Sequence, residues 1–309
     1  MEYRDGIVVR LLREDGAIGL GEIAPLESFG SESVEKAELL LRSFHGSISA
    51  NSSIAEEEYP CTHYALRCAM RGIDNCSREE SVVRDHEPIP TARLIQNNAF
   101  DQVETPTLRR FLSANTIKIK IGDGAIEQPE EMLRIEKAVQ WCSSRGKKIR
   151  LDANEQLDLE AARDWADFLS PYTETIEFIE QPVDRCLFYE LAELSRASAI
   201  PIALDESVAT LRYQDDFPYR DDFLYVVKPS LGDLYVVEAM GIPAERVILS
   251  SVFETAIGFS ELLELPYRNW VPGFDTQGIF EHDGLSYPVS DAGYFFDQIN
   301  NEVLWKRLP

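Results

Sequence analysis

Apolar positions in the first quarter of the chain follow one rhythm and those in the rest follow another. Gly6 to Leu12 and Ala17 to Ile23 are short β-type runs joined by Glu14-Asp15-Gly16, which predicts a hairpin. A capping Ser ahead of apolar positions at helical spacing (Val34, Ala37, Leu39, Leu40) predicts a helix over Ser31 to Ser43, and Tyr64 to Gly72 predicts a second. Antiparallel strands with helices make an α+β unit over residues 1–88. From Glu87-Pro88-Ile89-Pro90 onward, short apolar runs alternate with amphipathic stretches, the order of parallel strands joined by crossover helices. The strand runs are Ala92 to Ile95, Ile117 to Ile121, Ile149 to Ala153, Ile176 to Glu180, Ile202 to Asp205, Tyr225 to Lys228, Val247 to Ser251 and a weaker Trp270 to Phe274. Helical periodicity marks Glu130 to Ser144, Glu160 to Leu169 and Leu187 to Ala197 between them. Eight such units over residues 89–276 predict an α/β architecture, a modified TIM-type (β/α) barrel, with Gly122, Pro182 and Pro229 punctuating strand exits.

Composition narrows the function without naming it. The 309 residues are 44% hydrophobic, enough for a large core, and 54 acidic against 30 basic residues give a net charge of −24. Nucleic acid and anionic membrane surfaces need a positive field, so neither is expected as a partner. No apolar run is long enough to span a bilayer and Met1-Glu2-Tyr3-Arg4-Asp5 does not open a signal peptide, which leads to the expectation of a cytoplasmic protein. Five scattered cysteines (Cys61, Cys68, Cys76, Cys142, Cys186) read as reduced packing residues. Four separate histidines (His45, His63, His86, His282) offer neither a metal set nor a Ser-His-Asp triad.

The chemistry is therefore sought at the carboxyl ends of the barrel strands, where such folds gather their active sites. Polar residues recur there: Lys118 and Lys120, Asp152 and Asn154, Glu180, Asp205 and Glu206, Lys228, Ser250 and Ser251. Singly each has an ordinary reading, since Ile-Lys-Ile-Lys-Ile suits a solvated strand face and an acid after a strand often caps the next helix. Spacing argues otherwise. Asp152, Glu180, Asp205, Lys228 and Ser250 are 28, 25, 23 and 22 residues apart, about one β/α unit each, which ranges them around one mouth. Three carboxylates on adjacent strands repel unless protonated or bound to a cation, and an oxygen-only set points to a hard ion, Mg²⁺ with Mn²⁺ as substitute. Burial and mutual repulsion would lower a lysine pKa from about 10.4 toward about 7 to 8, where it serves as a base. A Lewis acid flanked by lysines suits removal of a proton next to a carboxylate, so the expected partner is a small-molecule carboxylate.

Lys118-Ile-Lys120, Asp152-Ala-Asn154, Glu180-Gln-Pro182, Asp205-Glu-Ser207 and Val227-Lys228-Pro229 resemble the strand-end motifs of the enolase superfamily, muconate-lactonising subgroup. With Gly21-Glu22-Ile23-Ala24-Pro25-Leu26, Arg150-Leu151-Asp152, Ser250-Ser251 with Glu254, and Pro272-Gly273-Phe274-Asp275-Thr276, the chain is most similar within that subgroup to the o-succinylbenzoate synthase family of menaquinone biosynthesis. The resemblance covers nearly the whole chain. It implies Asp152, Glu180 and Asp205 as Mg²⁺ ligands, supported by Asn154 and Glu206, with Lys120 as the base. Lys118 would lie against the substrate carboxylate and hold down the pKa of Lys120, and Lys228 would face the other side of the intermediate. Ser250, Ser251, Gly273 and Arg150 would meet the substrate, partly through backbone donors. The implied reaction is Mg-dependent syn-dehydration of 2-succinyl-6-hydroxy-2,4-cyclohexadiene-1-carboxylate to o-succinylbenzoate through an enediolate. A C-terminal segment, 277–309, would return to the capping unit. Relatives carry a further strand and a substrate-covering loop before the segment matching Arg4-Asp5-Gly6, so either the capping unit is shorter here or this sequence lacks part of it.

N-succinylamino acid racemase, dipeptide epimerase and muconate cycloisomerase use the same machinery and stay open on these residues. Lys120 and Lys228 would then work on opposite faces, although Phe274-Asp275-Thr276 lacks the Asp-x-Asp with which dipeptide epimerases hold an amino group. A catalytically silent barrel kept for binding is a more remote alternative, because it would be expected to lose a ligand or a lysine. The oligomeric state, monomer or homo-oligomer, is undecided at this level.

Overall fold

Period-2 runs and 3.6-period runs segregate in the computed structural model as the pattern predicts. It describes residues 4–49, 54–76, 87–95, 113–124, 127–212, 217–277, 279, 284–288, 290, 292–295 and 305–306. The side chain of Cys76, together with His86, His282 and much of 277–309, lies outside these residues.

Strands β1 (Ile7–Leu12) and β2 (Ile18–Ile23) pair antiparallel, with Ile7 opposite Ile23 and Leu12 opposite Ile18. Two helices follow, α1 (Val34–Ser43) and α2 (Pro60–Cys76). Ser33 caps α1 by accepting the Lys36 N–H at 3.2 Å, which locates the expected cap. Helix α2 is longer than its periodicity suggested, because it lies directly on β2. Ideal Cβ atoms on Gly19 and Gly21 would stand 1.7 Å from the Ala69 carbonyl oxygen and 2.0 Å from that of Ala65. Only glycine permits this approach, so Gly21→Ala forces helix and hairpin apart. The expected loss is about 3 kcal/mol of stability, read as a lower urea midpoint; an unchanged midpoint would refute the packing argument.

The second sheet is parallel throughout and its strands lie in sequence order: β3 (Arg93–Ile95), β4 (Thr116–Lys120), β5 (Lys148–Asp152), β6 (Ile176–Glu180), β7 (Ile202–Leu204), β8 (Leu224–Val227) and β9 (Val247–Leu249). Covering helices are α3 (Gln128–Ser143), α4 (Leu159–Leu169), α5 (Phe188–Ala197), α6 (Glu206–Leu211), α7 (Asp233–Ala239) and α8 (Ala256–Leu263). Asp158 caps α4 through the Ala161 N–H at 2.8 Å. Alternate strand residues divide between two apolar layers. Tyr225 and Val227 pack toward the helices with Trp165 and Phe259, while Leu224 and Val226 join Phe178, Ala203, Ile248 and Trp270 on the other face.

The expected eighth strand is instead a single bridge. Ser250 pairs with Gly273 in parallel, the Gly273 N–H donates to the Leu249 carbonyl at 2.8 Å, and the Ala92 N–H donates to the Pro272 carbonyl at 2.9 Å. These bonds link the end of β9 to the residues just before β3. Pro272 has no N–H to continue a ladder, which keeps the segment short. Farther along, Ile89 and Tyr294 exchange backbone bonds, and the Arg10 guanidinium of β1 lies 5.5 Å from the Trp305 ring.

Among the described cysteines, Cys61, Cys68 and Cys142 are free and buried as expected, whereas Cys186 is free but exposed. It follows Arg185 in the turn after β6, outside the covering layer. Among the described residues no helix is long and apolar enough to cross a membrane.

Candidate active site

Strand register builds the cluster. Lys120 lies beside Asp152, and Asp152 beside Glu180, across β4, β5 and β6. Asp205 and Lys228 follow the last residues of β7 and β8, and Ser250 that of β9. Asp152, Glu180, Asp205 and Lys228 are each buried, at 2 to 6% exposure. Such charges persist away from water only when paired.

Their pairing is specific. The Lys118 ammonium lies 2.8 Å from Asp152 Oδ2 and 2.7 Å from Glu180 Oε1, so one positive charge serves two carboxylates. Lys228 stands against Asp205. Lys120, more exposed, donates to Asn154 Oδ1 at 2.7 Å, and Asn154 Nδ2 donates to Glu206 Oε1 at 3.2 Å. The Asn154 N–H also donates to Asp152 Oδ1 at 3.1 Å, so one side chain and its backbone join base, carboxylate and supporting acid.

The two buried lysines shift in opposite directions. Burial pulls the Lys228 pKa down to about 8 against the upward pull of Glu180 and Asp233. Burial also disfavours charge on Lys118, but Asp152 and Glu180 outweigh it and raise its pKa. The expectation of a depressed lysine therefore holds for Lys228 and is corrected for Lys118, whose two carboxylates keep it charged. Burial, then the negative charge of Asp152, pushes Glu206 up to about 7.

Backbone conformation at these strand ends is unusual. Asn154, Glu155 and Gln181 have φ of 42°, 65° and 36°, a left-handed region costly for non-glycine residues. Gln181 is held there by its surroundings. Its N–H donates to the Ala203 carbonyl, its Oε1 accepts the N–H groups of Asp205 and Ser207 at 3.1 Å each, and its Nε2 donates to Val183. It aligns the turn that carries Asp205, a role that its place between Glu180 and Pro182 did not reveal. Asp233 does the same for Lys228, accepting its N–H at 3.1 Å.

The other sequence candidates divide. Ser250, Ser251 and Gly273 come together: both serine hydroxyls donate to the Gly273 carbonyl, at 3.2 and 3.4 Å, and Ser251 Oγ lies 2.7 Å from Thr276 Oγ1. Their backbone N–H groups are already used within the sheet: Ser250 to Val227, Ser251 to Gly273 and Gly273 to Leu249. The backbone donors expected to hold part of a ligand are thus already committed within the sheet. Arg150 lies one layer below, beside Lys118 in register, with Nε 2.6 Å from Glu177 Oε2 and its guanidinium 4.9 Å from the Phe178 ring. A bulge in the β5–β6 register, where Ile149 meets Ile176 and Arg150 meets Phe178, leaves Glu177 as the extra residue. Asp275 is taken up by Arg93 Nη1 at 2.6 Å and by the Leu94 N–H.

One contact arrives from outside the barrel. After β2, the 3-10 turn Glu27–Phe29 brings the Phe29 ring within 4.4 Å of the Lys228 ammonium. Arg185, itself paired with Glu155 at 2.6 Å, donates to the Ser28 carbonyl and ties this turn to the loop after β6.

Among the described residues no three acidic, imidazole or thiol groups converge closely enough to chelate one ion. The donor set nevertheless suits a hard cation. Three buried carboxylates end consecutive strands, and the point between Asp152 and Glu180 already carries positive charge in the form of the Lys118 ammonium.

Comparisons with known proteins place the chain in a family. Residues 107–229 match the model of the enolase C-terminal domain-like family, and residues 1–73 match that of the MenC N-terminal domain. The o-succinylbenzoate synthase of Thermosynechococcus vestitus is 30% identical over 278 residues, covering 87% of this chain and 82% of that protein. Among solved structures, the o-succinylbenzoate synthase of Thermosynechococcus elongatus BP-1, complexed with Mg in its active site, superposes with a TM-score of 0.76 at 26% identity, over 99% of this chain and 92% of that one. Muconate lactonizing enzyme of Klebsiella pneumoniae shares the fold, with a TM-score of 0.69 at 20% identity over 94% of this chain and 88% of its own.

Proposed function

The chain belongs to the o-succinylbenzoate synthase family, lyases of the enolase superfamily, and from that premise we propose how its residues divide the dehydration of 2-succinyl-6-hydroxy-2,4-cyclohexadiene-1-carboxylate. The observation that carries the reading is the Lys118–Asp152–Glu180 cluster, with Lys120 beside it on the same strand face and held by Asn154. Asp152, Glu180 and Asp205 would hold Mg²⁺, which when bound would supply Lewis-acid stabilisation of negative charge on the substrate carboxylate.

Lys120 takes the proton from the carbon bearing the carboxylate and then returns it to the departing hydroxyl on the same face. The C–H bond breaks first, the C–O bond second, and water leaves as the ring becomes aromatic. Asn154 accepts from Lys120 and keeps its amine directed at the mouth. Lys118 offsets the carboxylates that negative charge on the substrate would otherwise meet. Lys228 comes from β8, with β5, β6 and β7 between it and the β4 lysines, and contributes positive charge from another side. The Phe29 ring lies against its ammonium. The serine hydroxyls hold the succinyl tail. Residues 1–88 act as a cap on a catalytic barrel of 89–276, with 277–309 returning to the cap; the Arg10–Trp305 contact supports that division.

The test is formation of o-succinylbenzoate from the cyclohexadiene substrate, with Mg²⁺ present and after chelation. Turnover is expected to need the ion and to return when it is restored. Rapid α-deuteration of N-succinylamino acids in D₂O, without dehydration of the cyclohexadiene, would instead favour a racemase.

A further inference from the structure

Glu254 is buried at 3% exposure in the segment between β9 and α8, three residues beyond Ser251. Burying a carboxylate is expensive, and an apolar side chain of similar volume would fill the same space more cheaply if packing were the only demand. Its bonds show a different use. Oε1 accepts the Ser230 hydroxyl at 2.6 Å, and Ser230 belongs to the turn that follows Lys228. Oε2 accepts the Val252 N–H at 2.8 Å, next to Ser251. One carboxylate thus spans the turn after β8 and the loop after β9. The Glu254 carbonyl accepts Gln277 Nε2 at 2.9 Å, and Gln277 Oε1 in turn accepts the Tyr287 N–H, so a third segment joins the same point.

The far end of the segment is anchored independently. Glu22 on β2 accepts the Thr255 N–H and hydroxyl at 2.9 and 2.6 Å and the Gly258 N–H at 2.9 Å, placing a carboxylate at the start of α8. Helix α8 is therefore held by the small sheet, and only the stretch from Ser250 to Glu254 is left to be set against the Lys228 turn. Leu231 and Val252 also share an apolar cluster across these two turns, and the Ser230–Glu254 bond adds a directional polar tie that fixes their register.

We infer that Glu254 is a positioning residue that fixes the Ser250–Ser251 loop in register with the Lys228 turn, and so sets the width of the pocket holding the substrate tail. This rests on the reading of Ser250 and Ser251 as tail contacts. The residue does not reach the reacting atoms, because both carboxylate oxygens are occupied within the wall. Its loss should weaken ground-state and transition-state binding alike, raising KM with little change in kcat. Lys228 keeps its place through Asp233.

The experiment is steady-state dehydration kinetics on the Mg²⁺-loaded full chain with Glu254→Ala, Glu254→Gln, Ser230→Ala and Ser251→Ala. Glu254→Ala is expected to raise KM about tenfold or more while kcat stays within about threefold. Glu254→Gln keeps an acceptor for Val252 and can donate to Ser230 Oγ, so it should restore most of the loss. Ser230→Ala removes the same bond from the other end with less risk to folding, and should raise KM in the same direction by a smaller factor. A KM unchanged in both Glu254→Ala and Ser230→Ala overturns the inference, as does a collapse of kcat at constant KM. If Ser251→Ala leaves KM unchanged while Glu254→Ala raises it, the bridge stands and the serine contact is what fails.

Discussion

Lys120→Ala is expected to lower kcat by about 10²–10⁴-fold, the usual contribution of a positioned acid/base group, while the fold and cation binding survive. The Lys120 side chain is exposed at the mouth and its one described hydrogen bond goes to Asn154, not to Asp152, Glu180 or Asp205. Removing it leaves no buried charge unpaired. Mg²⁺ affinity measured calorimetrically should therefore stay near that of the parent protein, and the thermal midpoint should barely move. Lys120→Arg sharpens the test: guanidinium keeps the charge but cannot be deprotonated, so it should not restore turnover. A Lys120→Ala enzyme turning over within about threefold of the parent would remove Lys120 from the mechanism.

Lys118→Met should act on stability as much as on rate. Its ammonium is the one cation described within 3 Å of Asp152 and Glu180, whose side chains are 3% and 2% exposed. Taking away one partner of a buried ion cluster typically costs about 3–5 kcal/mol, because the remaining charges are left desolvated and unpaired. The metal-free variant should unfold several degrees below the parent, by about 2–4 °C for each kcal/mol in a chain of this size. Mg²⁺ should then raise the midpoint of the variant more than that of the parent, since the ion replaces the missing positive charge. Differential scanning calorimetry with and without Mg²⁺ reads both effects. Equal metal-induced shifts in the two proteins would show that the cation does not share these carboxylates with Lys118.

Much of this site was legible before any coordinates. Period-2 runs ending in Asp152, Glu180, Asp205 and Lys228 at unit spacing required the carboxylates and lysines to meet, because consecutive parallel strands lie side by side and present their ends to the same rim. What spacing could not supply was pairing. Lys118 and Lys120 share a strand face, yet one is clamped between two buried acids while the described hydrogen bond of the other goes to a neutral amide. The difference is one of depth within the sheet, and periodicity carries no depth.

The remaining misses have the same origin. Trp270 to Phe274 reads as a weak strand and forms a single bridge, since Pro272 cannot extend a ladder. Arg150 is placed among the substrate contacts by the Arg150-Leu151-Asp152 resemblance, whereas in the fold a bulge at Glu177 supplies its partner one layer below the rim. Gln181, Asp233 and Glu254 carry no motif by themselves. Their importance comes from the groups the fold brings to them, the N–H groups of Asp205 and Lys228 for Gln181 and Asp233 and the Ser230 hydroxyl for Glu254, and Phe29 arrives on the turn after β2.

By itself, the sequence determined the order of elements, the identity of the rim residues and the kind of chemistry that three carboxylates and three lysines can perform. These follow from side-chain type and local period, which are properties of adjacent residues. The tertiary structure decided which lysine is clamped between buried acids, which serine groups are already bonded within the sheet, and which buried carboxylates tie loops together. Those outcomes depend on burial and on partners distant in sequence, such as Glu22 at the start of α8, and only the folded chain brings them within hydrogen-bond reach.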